Sequence, residues 1–347
     1  MIIRLVVLVI LILVMVGTAG AQDPAYTIDY GDSVTEDLID AENGDRWYFE
    51  GKEGDIVAIT LESEDFDTVL ELRSLEDDTL LVENDDADTD TDNSAILPYE
   101  LAADGYYVIV VRDYAGESDE AYTLTLNQLE LSAAGGETPY LDETILVKLG
   151  ETTEANTWQF EGKTGEVIEI MAESDAFDSF ISIIRPNGRP FIENDDADGL
   201  NAGLSFLRLR EDGLYTLTIS VAGEEELTDY AGALYFFTLQ SYPVNGELVI
   251  GEAVEGELPL DGASVWVYEG AKNSAITVEV TSSVFDPYVR IYNEDAELIA
   301  EDDDSSSTYK GSLATATLED DGMYVIVVSS AFGEEEGAYT LVLNAAE

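Results

Sequence analysis

The chain has 347 residues, of which 46% are hydrophobic, and this is enough for two or three packed domains. It contains neither cysteine nor histidine, which excludes disulfides, zinc sites built from those residues, cysteine nucleophiles and Ser-His-Asp triads. The net charge of -61 excludes nucleic acid as a partner and disfavours anionic membranes, because phosphate binding requires patches of lysine and arginine, so cations, basic proteins and neutral polymers remain.

The N-terminus has the features of a secretory signal peptide. Arg4 precedes an apolar run, Leu5–Val16, and Ala19-Gly20-Ala21 fits a signal peptidase site. The run is shorter than the roughly 20 residues of a membrane span. We therefore predict a signal peptide over residues 1–21, an exported chain that starts at Gln22, and no membrane association after cleavage. An uncleaved N-terminal anchor is the alternative.

Three copies of one pattern follow the leader. Each copy contains the motif W-x-F/Y-E-G and has a Phe-Asp pair nineteen residues after the tryptophan. An acidic cluster comes next, then a D-G-x-Y turn, and each copy closes on an aromatic strand. In chain order, the tryptophans are Trp47, Trp158 and Trp266, the pairs are Phe66-Asp67, Phe177-Asp178 and Phe285-Asp286, the clusters begin at Glu83, Glu193 and Glu301, and the turns begin at Asp104, Asp212 and Asp321.

The repeat sets the predicted domain boundaries. These are a first domain over residues 22–131, a linker of small residues over 132–139, a second domain over 140–242 and a third over 243–347. The second copy differs at its start, because Gly150 precedes its tryptophan by 8 residues whereas Gly31 and Gly251 precede theirs by 16 and 15. The first strand pair of that copy is therefore either arranged differently or misaligned here.

The local patterns indicate strands throughout. Segments such as IVAITLES, VIEIMAES and AITVEVTS alternate apolar and polar residues with the period of a half-buried strand. Turn signals such as Asn187-Gly188 recur about every 8–12 residues, and no helical stripe follows the leader. Units of about 105 residues with many short strands predict an all-β protein of three tandem antiparallel β-sandwiches.

Two of the repeated motifs are explained by folding alone. The tryptophan alternates with Phe49, Phe160 or Tyr268 on one strand face, which predicts a place in the core. A sugar-stacking platform is the rival interpretation. The glycine that ends the motif is expected to supply a turn. The D-G-x-Y motif is interpreted as a turn followed by a core tyrosine.

The Phe-Asp pair and the acidic cluster lie at the two ends of one predicted hairpin. In the second copy FDSFISII leads to Asn187-Gly188, and FIENDD returns. The phenylalanine shares a face with the apolar strand residues, so the aspartate points the other way, toward the cluster. The predicted neighbours are Asp67 with Asp85 or Asp86, Asp178 with Asp195 or Asp196, and Asp286 with Asp302 or Asp303.

Carboxylates brought together in this way favour a cation. Two of them about 4 Å apart repel by roughly 1 kcal/mol in water and by about 4 kcal/mol at an effective dielectric constant of about 20. Ca²⁺ takes six to eight oxygen ligands, whereas Mg²⁺ tends to keep its water, and zinc and copper lack their usual ligands here. We therefore predict Ca²⁺ sites at these aspartates, with Asn84 and Asn194 as further ligands.

A solvated acidic loop is the alternative, because aspartate and asparagine commonly form turns. The first cluster is not an EF-hand loop, since Thr91 stands where that loop requires glycine. Asp88, Asp90 and Asp92 form a run in the first copy alone, and they are interpreted as solvated.

Taken together, the motifs resemble the bacterial pre-peptidase C-terminal (PPC) domain. The resemblance rests on W-x-F-E-G-x-x-G-D, F-D-x-x-L, E-N-D-D, D-G-x-Y and G-A-Y-T-L, and it covers nearly all of the predicted mature chain as three copies. It implies a compact jelly-roll-like β-sandwich of a kind usually appended to secreted peptidases. Related collagen-binding domains of secreted collagenases bind calcium and a protein polymer. The resemblance implies that Asp67, Asp85, Asp86 and their equivalents are the acidic motif positions.

The sequence thus predicts a secreted or cell-surface, non-catalytic β-sandwich repeat protein that calcium stabilises. Its predicted partner is an extracellular polysaccharide, protein polymer or other protein. The first alternative is an acidic cell-surface spacer that is insensitive to chelators. A remote alternative is a glycosidase with a carboxylate pair, which needs neither histidine nor cysteine.

Overall fold

The computed structural model describes residues 26–41, 43–87, 91–138, 141, 144–150, 155–197, 199–223, 227–260, 262–303, 311–333 and 335–346. The predicted signal peptide and the predicted new N-terminus at Gln22 lie outside these ranges. Within them, strands make up the fold, and the single helical element is one 3₁₀ turn, Leu227–Tyr230. No helix in the described ranges has the length and apolar character needed to cross a membrane.

Each copy contains nine strands. Those of the first copy are β1 (Tyr26–Thr27), β2 (Asp32–Asp37), β3 (Asp45–Gly51), β4 (Ile56–Glu62), β5 (Thr68–Ser74), β6 (Leu80–Asn84), β7 (Ser94–Glu100), β8 (Gly105–Asp113) and β9 (Ala121–Leu129). Those of the second are β10 (Gly136–Glu137), β11 (Ile145–Lys148), β12 (Asn156–Gly162), β13 (Val167–Glu173), β14 (Ser179–Ile184), β15 (Pro190–Asn194), β16 (Ala202–Arg208), β17 (Gly213–Val221) and β18 (Leu234–Tyr242). Those of the third are β19 (Val244–Glu247), β20 (Ala253–Leu258), β21 (Ser264–Gly270), β22 (Ala275–Ser282), β23 (Pro287–Tyr292), β24 (Leu298–Asp302), β25 (Gly311–Thr317), β26 (Gly322–Ser330) and β27 (Gly337–Ala345).

The three copies share one topology. In the first, a five-stranded sheet of order β1-β3-β8-β5-β6 faces a four-stranded sheet of order β2-β9-β4-β7. The second repeats these orders as β10-β12-β17-β14-β15 and β11-β18-β13-β16, and the third as β19-β21-β26-β23-β24 and β20-β27-β22-β25. The predicted all-β architecture of three β-sandwiches is therefore confirmed. One detail differs from a purely antiparallel arrangement, since β1, β10 and β19 each pair in parallel with the tryptophan strand.

The alternating sequence pattern produces a separate core in each sandwich. Along β3, Trp47 and Phe49 point inward and are each 4% exposed, while Glu50 on the same strand is exposed. The same inward set recurs in β12 and β21, and each sandwich has its own cluster of buried side chains. The hydrophobic effect, at about 25 cal/mol per Å² of apolar area, makes these cores the main source of stability.

The start of the second sandwich keeps the common topology. Gly136–Glu137 form β10 within the segment predicted as a linker, and they pair with Trp158 and Gln159 of β12. Gly150 follows β11, whereas Gly31 and Gly251 precede β2 and β20. Gly150 is therefore not their equivalent, and the misalignment was in the sequence comparison rather than in the fold.

The described chain divides into two compact units, one ending at Leu129 and one beginning at Glu130. The second unit contains two sandwiches, and a further apolar cluster joins them. Val167 and Phe206 of the second sandwich pack in this cluster with Val265 and Tyr292 of the third. Arg210 of the second sandwich also forms an ion pair with Asp295 of the third at 3.0 Å. These two sandwiches therefore form one packed body.

Candidate cation-binding hairpin mouths

The tryptophans of the repeat serve the core rather than a binding surface. Trp47 and Trp158 are each 4% exposed and Trp266 is 8% exposed. The indole N–H groups of Trp47 and Trp266 each donate a hydrogen bond of 2.8 Å to a buried tyrosine, Tyr122 and Tyr339 respectively. The sugar-stacking interpretation is wrong, because rings this deeply buried cannot meet a ligand.

The D-G-x-Y motif is structural in all three sandwiches, as predicted. The buried tyrosine donates from its hydroxyl to the backbone carbonyl four residues earlier, at 2.7 Å for Tyr107 and 2.9 Å for Tyr215 and Tyr324. The motif aspartate accepts a backbone N–H from the turn after the tryptophan strand, as Asp104 does from Glu53 at 2.9 Å. Each motif thus joins two turns at one end of its sandwich.

The glycine that ends the tryptophan motif allows close packing rather than a turn. Gly51, Gly162 and Gly270 are the last residues of β3, β12 and β21. A Cβ on Gly162 would lie 2.4 Å from Cδ1 of Leu209 and 2.9 Å from the ring of Tyr215. The predicted turn role is wrong, because what these positions require is the absence of a side chain beside the buried tyrosine.

The hairpins β5–β6, β14–β15 and β23–β24 form as predicted. We call the open end of each, where the Phe-Asp pair meets the acidic cluster, a hairpin mouth. The strand register aligns Leu70 with Asn84, Ile181 with Asn194 and Val289 with Asp302. Asp302 therefore occupies the asparagine position in the third copy. The acid that matches Asp85 there is Asp303, one residue later than the predicted pairing assumed.

In the first mouth, Asp67 lies among other carboxylates. Its Oδ1 atom is buried and has no hydrogen-bond partner within the described residues. Burial raises the pKa of Asp67, and the negative charges of Asp92, Asp86, Asp85 and Asp113 raise it further. The structure thus places Asp67 within electrostatic range of Asp85 and Asp86. It also adds Asp92, which the sequence pattern had indicated to be merely solvated.

Asp92 and Asp113 were missed as members of this mouth. The backbone carbonyl of Asp92 accepts the N–H of Thr68 at 2.9 Å, which places Asp92 beside the residue that follows Asp67. Asp113 ends β8, the strand next to β5, and its carboxylate accepts the backbone N–H groups of Glu117 and Ser118 at 2.8 and 2.9 Å. No sequence signal indicated that Asp92 lies beside Asp67. Asp113 could have been identified, because it stands at the end of the strand next to β5.

Buried hydroxyls behind the first and third mouths fix the backbone there. Ser94 is 1% exposed and donates to the carbonyl oxygens of Thr68 at 2.7 Å and Asp85 at 3.2 Å. Ser312 is fully buried and makes the same two contacts, to Pro287 and to Asp303 at 3.3 Å. These hydrogen bonds thus hold the backbone of Asp85 and Asp303 in place, while the side chains of the two residues remain exposed.

The asparagine of the acidic cluster links the two sheets of its sandwich. The Oδ1 atom of Asn84 accepts the N–H of Ala95 at 2.7 Å, and its Nδ2 donates to the carbonyl of Asp86 at 2.9 Å. Asn194 accepts the N–H of Gly203 at 2.9 Å, and Asp302 accepts that of Leu313 at 2.7 Å. Because this contact already uses a side-chain oxygen, we leave Asn84, Asn194 and Asp302 out of the ligand sets proposed below.

The other two mouths place their aspartates in the same way. A backbone N–H after the neighbouring strand donates to the carbonyl of Asp67 at 2.9 Å, of Asp178 at 2.8 Å and of Asp286 at 2.9 Å. Oδ1 of Asp286 is buried without a hydrogen-bond partner in the described chain, as in Asp67. Asp195 and Asp196 of the second mouth are exposed.

No group of three or more acidic side chains within the described ranges is already arranged around a position for a metal ion. At each mouth a hydrogen bond holds the backbone of the half-buried aspartate, whereas Asp85, Asp86, Asp195, Asp196 and Asp303 are exposed. Asp88, Asp90, Asp304 and the serines that follow it lie outside the described residues. Cation binding at these mouths would therefore require the exposed acids to turn inward.

No family model matches this chain, and no curated protein matches it either. Among solved structures, it is similar to the pre-peptidase C-terminal domain of a collagenase from Bacillus anthracis, at 16% identity and a TM-score of 0.27, over 31% of this chain and 100% of that one. It is also similar to the M60 catalytic domain with two CBM51 domains of ZmpB from Clostridium perfringens, at 11% identity and a TM-score of 0.21, over 88% of this chain and 55% of that one. A third similarity is to the CUB1-EGF-CUB2 region of human MASP-1/3, at 10% identity and a TM-score of 0.17, over 60% of this chain and 98% of that one. Similarities at these TM-scores establish neither a family nor a function.

Proposed function

We propose that this protein is an exported, non-catalytic array of three PPC-like β-sandwiches whose hairpin mouths bind Ca²⁺ and whose surface binds an extracellular polysaccharide or protein. The observation that carries the proposal is the buried Oδ1 atom of Asp67, which has no hydrogen-bond partner in the described chain and lies among the charges of Asp85, Asp86 and Asp92. A buried acceptor left unpaired costs about 1–3 kcal/mol. A hard cation would satisfy that oxygen and cancel the repulsion.

The exposed acids have the freedom that cation binding needs. Asp85 and Asp86 are exposed and begin just after β6, so rotation about their side-chain bonds can turn them toward Asp67. The proposed ligand sets are Asp67, Asp85, Asp86 and Asp92 in the first mouth, Asp178, Asp195 and Asp196 in the second, and Asp286 and Asp303 in the third. Backbone carbonyls and water would complete the six to eight oxygens that Ca²⁺ takes.

Exposed aromatic side chains beside two mouths support the binding of a partner. Tyr114 is 67% exposed, and its backbone N–H donates to the carbonyl of Asp67. Phe332 is 79% exposed, and the backbone N–H of Ala331, just before it, donates to the carbonyl of Asp286. Large exposed aromatics are typical of recognition surfaces. A calcium ion at the mouth would fix the loops around these rings.

Calcium binding is tested by thermal unfolding of the chain from Gln22 onward, in EDTA and across a CaCl₂ titration, with NaCl at matched ionic strength. We expect a saturable rise in melting temperature that NaCl does not reproduce, because calcium at about 100 times its dissociation constant adds about 2.7 kcal/mol per site. The variant with Asp67→Asn, Asp178→Asn and Asp286→Asn should lose the rise.

Glu76→Gln is the matched control, since Glu76 is an exposed acid in the turn at the other end of the first hairpin. It removes the same charge as Asp67→Asn and should leave the calcium response unchanged. A rise that NaCl reproduces, or one that survives the triple substitution, would favour the chelator-insensitive acidic spacer. Hydrolysis of any member of a broad glycan panel would favour the glycosidase instead.

A further inference from the structure

The outer face of the first five-stranded sheet carries a cluster of arginines around an open cavity of about 340 Å³. Three of the chain's 14 basic residues meet there, although acidic residues number 75. The lining residues are Asn43, Arg46, Glu71, Arg73, Asp78, Val110 and Arg112. We call this cavity the arginine cavity.

The arginine cavity belongs to the first sandwich alone. Strand register aligns Arg46, Arg73 and Arg112 with Thr157, Ile184 and Ser220 in the second sandwich, and with Val265, Tyr292 and Ser329 in the third. In the third sandwich Val265 and Tyr292 of this face pack against the second sandwich. The arginines are therefore no requirement of the shared topology.

A buried glutamate anchors two of the three guanidinium groups. The Glu71 side chain is 6% exposed and pairs with Arg73 at 2.5 Å and with Arg112. The third group, on Arg46, pairs with Asp78. Three arginines face Glu71 and Asp78 in the lining, and Glu83 beside it pairs with Arg112, so the charges balance and a ligand carboxylate would bind by replacing Asp78 or Glu83. The Nε atom of Arg112 is also buried without a hydrogen-bond partner among the described residues.

The outer pairs can be exchanged for a ligand. Asp78 is 59% exposed where it meets Arg46, and Glu83 is 47% exposed where it meets Arg112 at 3.2 Å. Exposed ion pairs contribute little to stability, so a ligand oxyanion could replace either carboxylate while Glu71 keeps its place. All three cations are arginine, whose planar fork binds carboxylates through two hydrogen bonds.

We propose that the arginine cavity binds the carboxylate of an acidic sugar unit in an extracellular glycan. Val110 is the single apolar residue of the lining, so the cavity suits a ligand rich in hydroxyl groups better than an apolar peptide. The net charge of -61 repels densely charged polyanions, which favours a glycan with isolated acidic units. This inference names a class of polymer and so rests on the proposed function. Its site adjoins the first hairpin mouth through Glu83, which pairs with Arg112, but the arginines themselves need no calcium.

Isothermal titration calorimetry on the chain from Gln22 onward, in EDTA and in CaCl₂, tests this inference. The probes are a trisaccharide with one galacturonic acid unit between two galactose units, a neutral galactose trisaccharide and a triglutamate peptide. We expect saturable binding of the uronate, at least about ten times tighter than that of the other two probes and equal in EDTA and CaCl₂. Arg46→Gln should weaken it at least about tenfold, and Arg46→Lys should recover part of the loss, because lysine keeps the charge without the fork.

Arg189→Gln is the control, since Arg189 is an exposed arginine in a hairpin turn of the second sandwich. It removes the same charge and should leave uronate binding unchanged. Equal binding of the neutral sugar, tighter binding of the peptide, no saturable uronate binding, or indifference to Arg46→Gln would each overturn the inference. A failure here would leave the calcium titration unaffected, so the two proposals can fail separately.

Discussion

Asp67 shows how one side chain can destabilise the calcium-free protein and still serve as a ligand. Its Oδ1 atom is buried without a hydrogen-bond donor in the described chain, and burial, followed by nearby negative charges, raises its pKa. The folded state therefore holds the proton of Asp67 more tightly than the unfolded state does. Ionised Asp67 opposes folding unless a cation neutralises it.

This leads to a prediction on pH dependence. In EDTA at pH 7, Asp67→Asn should raise the free energy of unfolding by about 1 kcal/mol, the value of one like-charge pair about 4 Å apart in water. The gain should be present above the raised pKa and vanish below the ordinary aspartate value of 3.8, where Asp67 is protonated in both states. Urea unfolding between pH 3 and pH 8 measures it.

Glu76→Gln again supplies the comparison, because it removes one acid from the same hairpin far from the mouth. Glu76→Gln should not show the pH-dependent gain in the free energy of unfolding that is expected for Asp67→Asn. A loss of stability in Asp67→Asn at pH 7 in EDTA would show that the ionised carboxylate has a partner in the free protein, contrary to its place in the structure.

At the scale of the element, a β-bulge in β16 creates the junction between the second and third sandwiches. The register of β13 and β16 shifts between Ile168 and Ile170, and Phe206 lies in the bulge with a φ of 55°. This left-handed conformation is unfavourable for a bulky residue. The bulge turns the Phe206 ring outward, where it is 3% exposed and lies 5.3 Å from the ring of Tyr292.

Two substitutions at Phe206 distinguish the contribution of its buried ring to stability from the cost of its strained backbone. Phe206→Ala should lower the free energy of unfolding by about 3–5 kcal/mol, because the apolar junction loses a buried ring. Phe206→Gly loses the same ring but adopts the positive φ without strain, so it should be less destabilising by about 1 kcal/mol. Denaturant unfolding followed by tryptophan fluorescence measures both values. Equal stability of the two variants would contradict the strained bulge.

At the scale of the whole molecule, the three sandwiches share a topology but differ on their outer faces. The first carries Arg46 and Arg73 on its five-stranded sheet, where the third carries Val265 and Tyr292. The apolar face is buried within the second compact unit. Repetition of the fold therefore does not make the sandwiches equivalent, and the second and third should act as one body.

Fragments test this difference between the sandwiches. A fragment over residues 243–347 should melt at a lower temperature than one over 130–347 and bind a hydrophobic dye, because Val265, Tyr292 and Val327 lose their cover. A fragment over 22–131 should bind little dye, since Arg46 and Arg73 occupy the positions of Val265 and Tyr292. Differential scanning calorimetry and dye fluorescence measure these effects. If the fragments over 243–347 and 130–347 melt at the same temperature and neither binds the dye, the junction contributes nothing to stability.

Local sequence was sufficient for the strands, the repeat and the hairpins. Alternation with period two marks which side chains face the core, and Asn187-Gly188 marks a turn, so both signals lie within a few residues. The meeting of Asp67 with Asp85 and Asp86 follows from the same local geometry. The calcium ions and the polymer remain predictions, because no pattern of strands specifies a ligand.

What the sequence by itself determined is the all-β architecture and the positions of the hairpin mouths, because a strand's inward and outward faces are encoded by neighbouring residues. Tertiary structure alone decided that Asn84 joins two sheets, that Asp92 returns to Asp67, that Gly51 makes room for a buried leucine and tyrosine, and that Phe206 closes a junction. Each of these contacts joins groups distant along the chain. Their partners are therefore set by how sheets and loops pack, which no local pattern records.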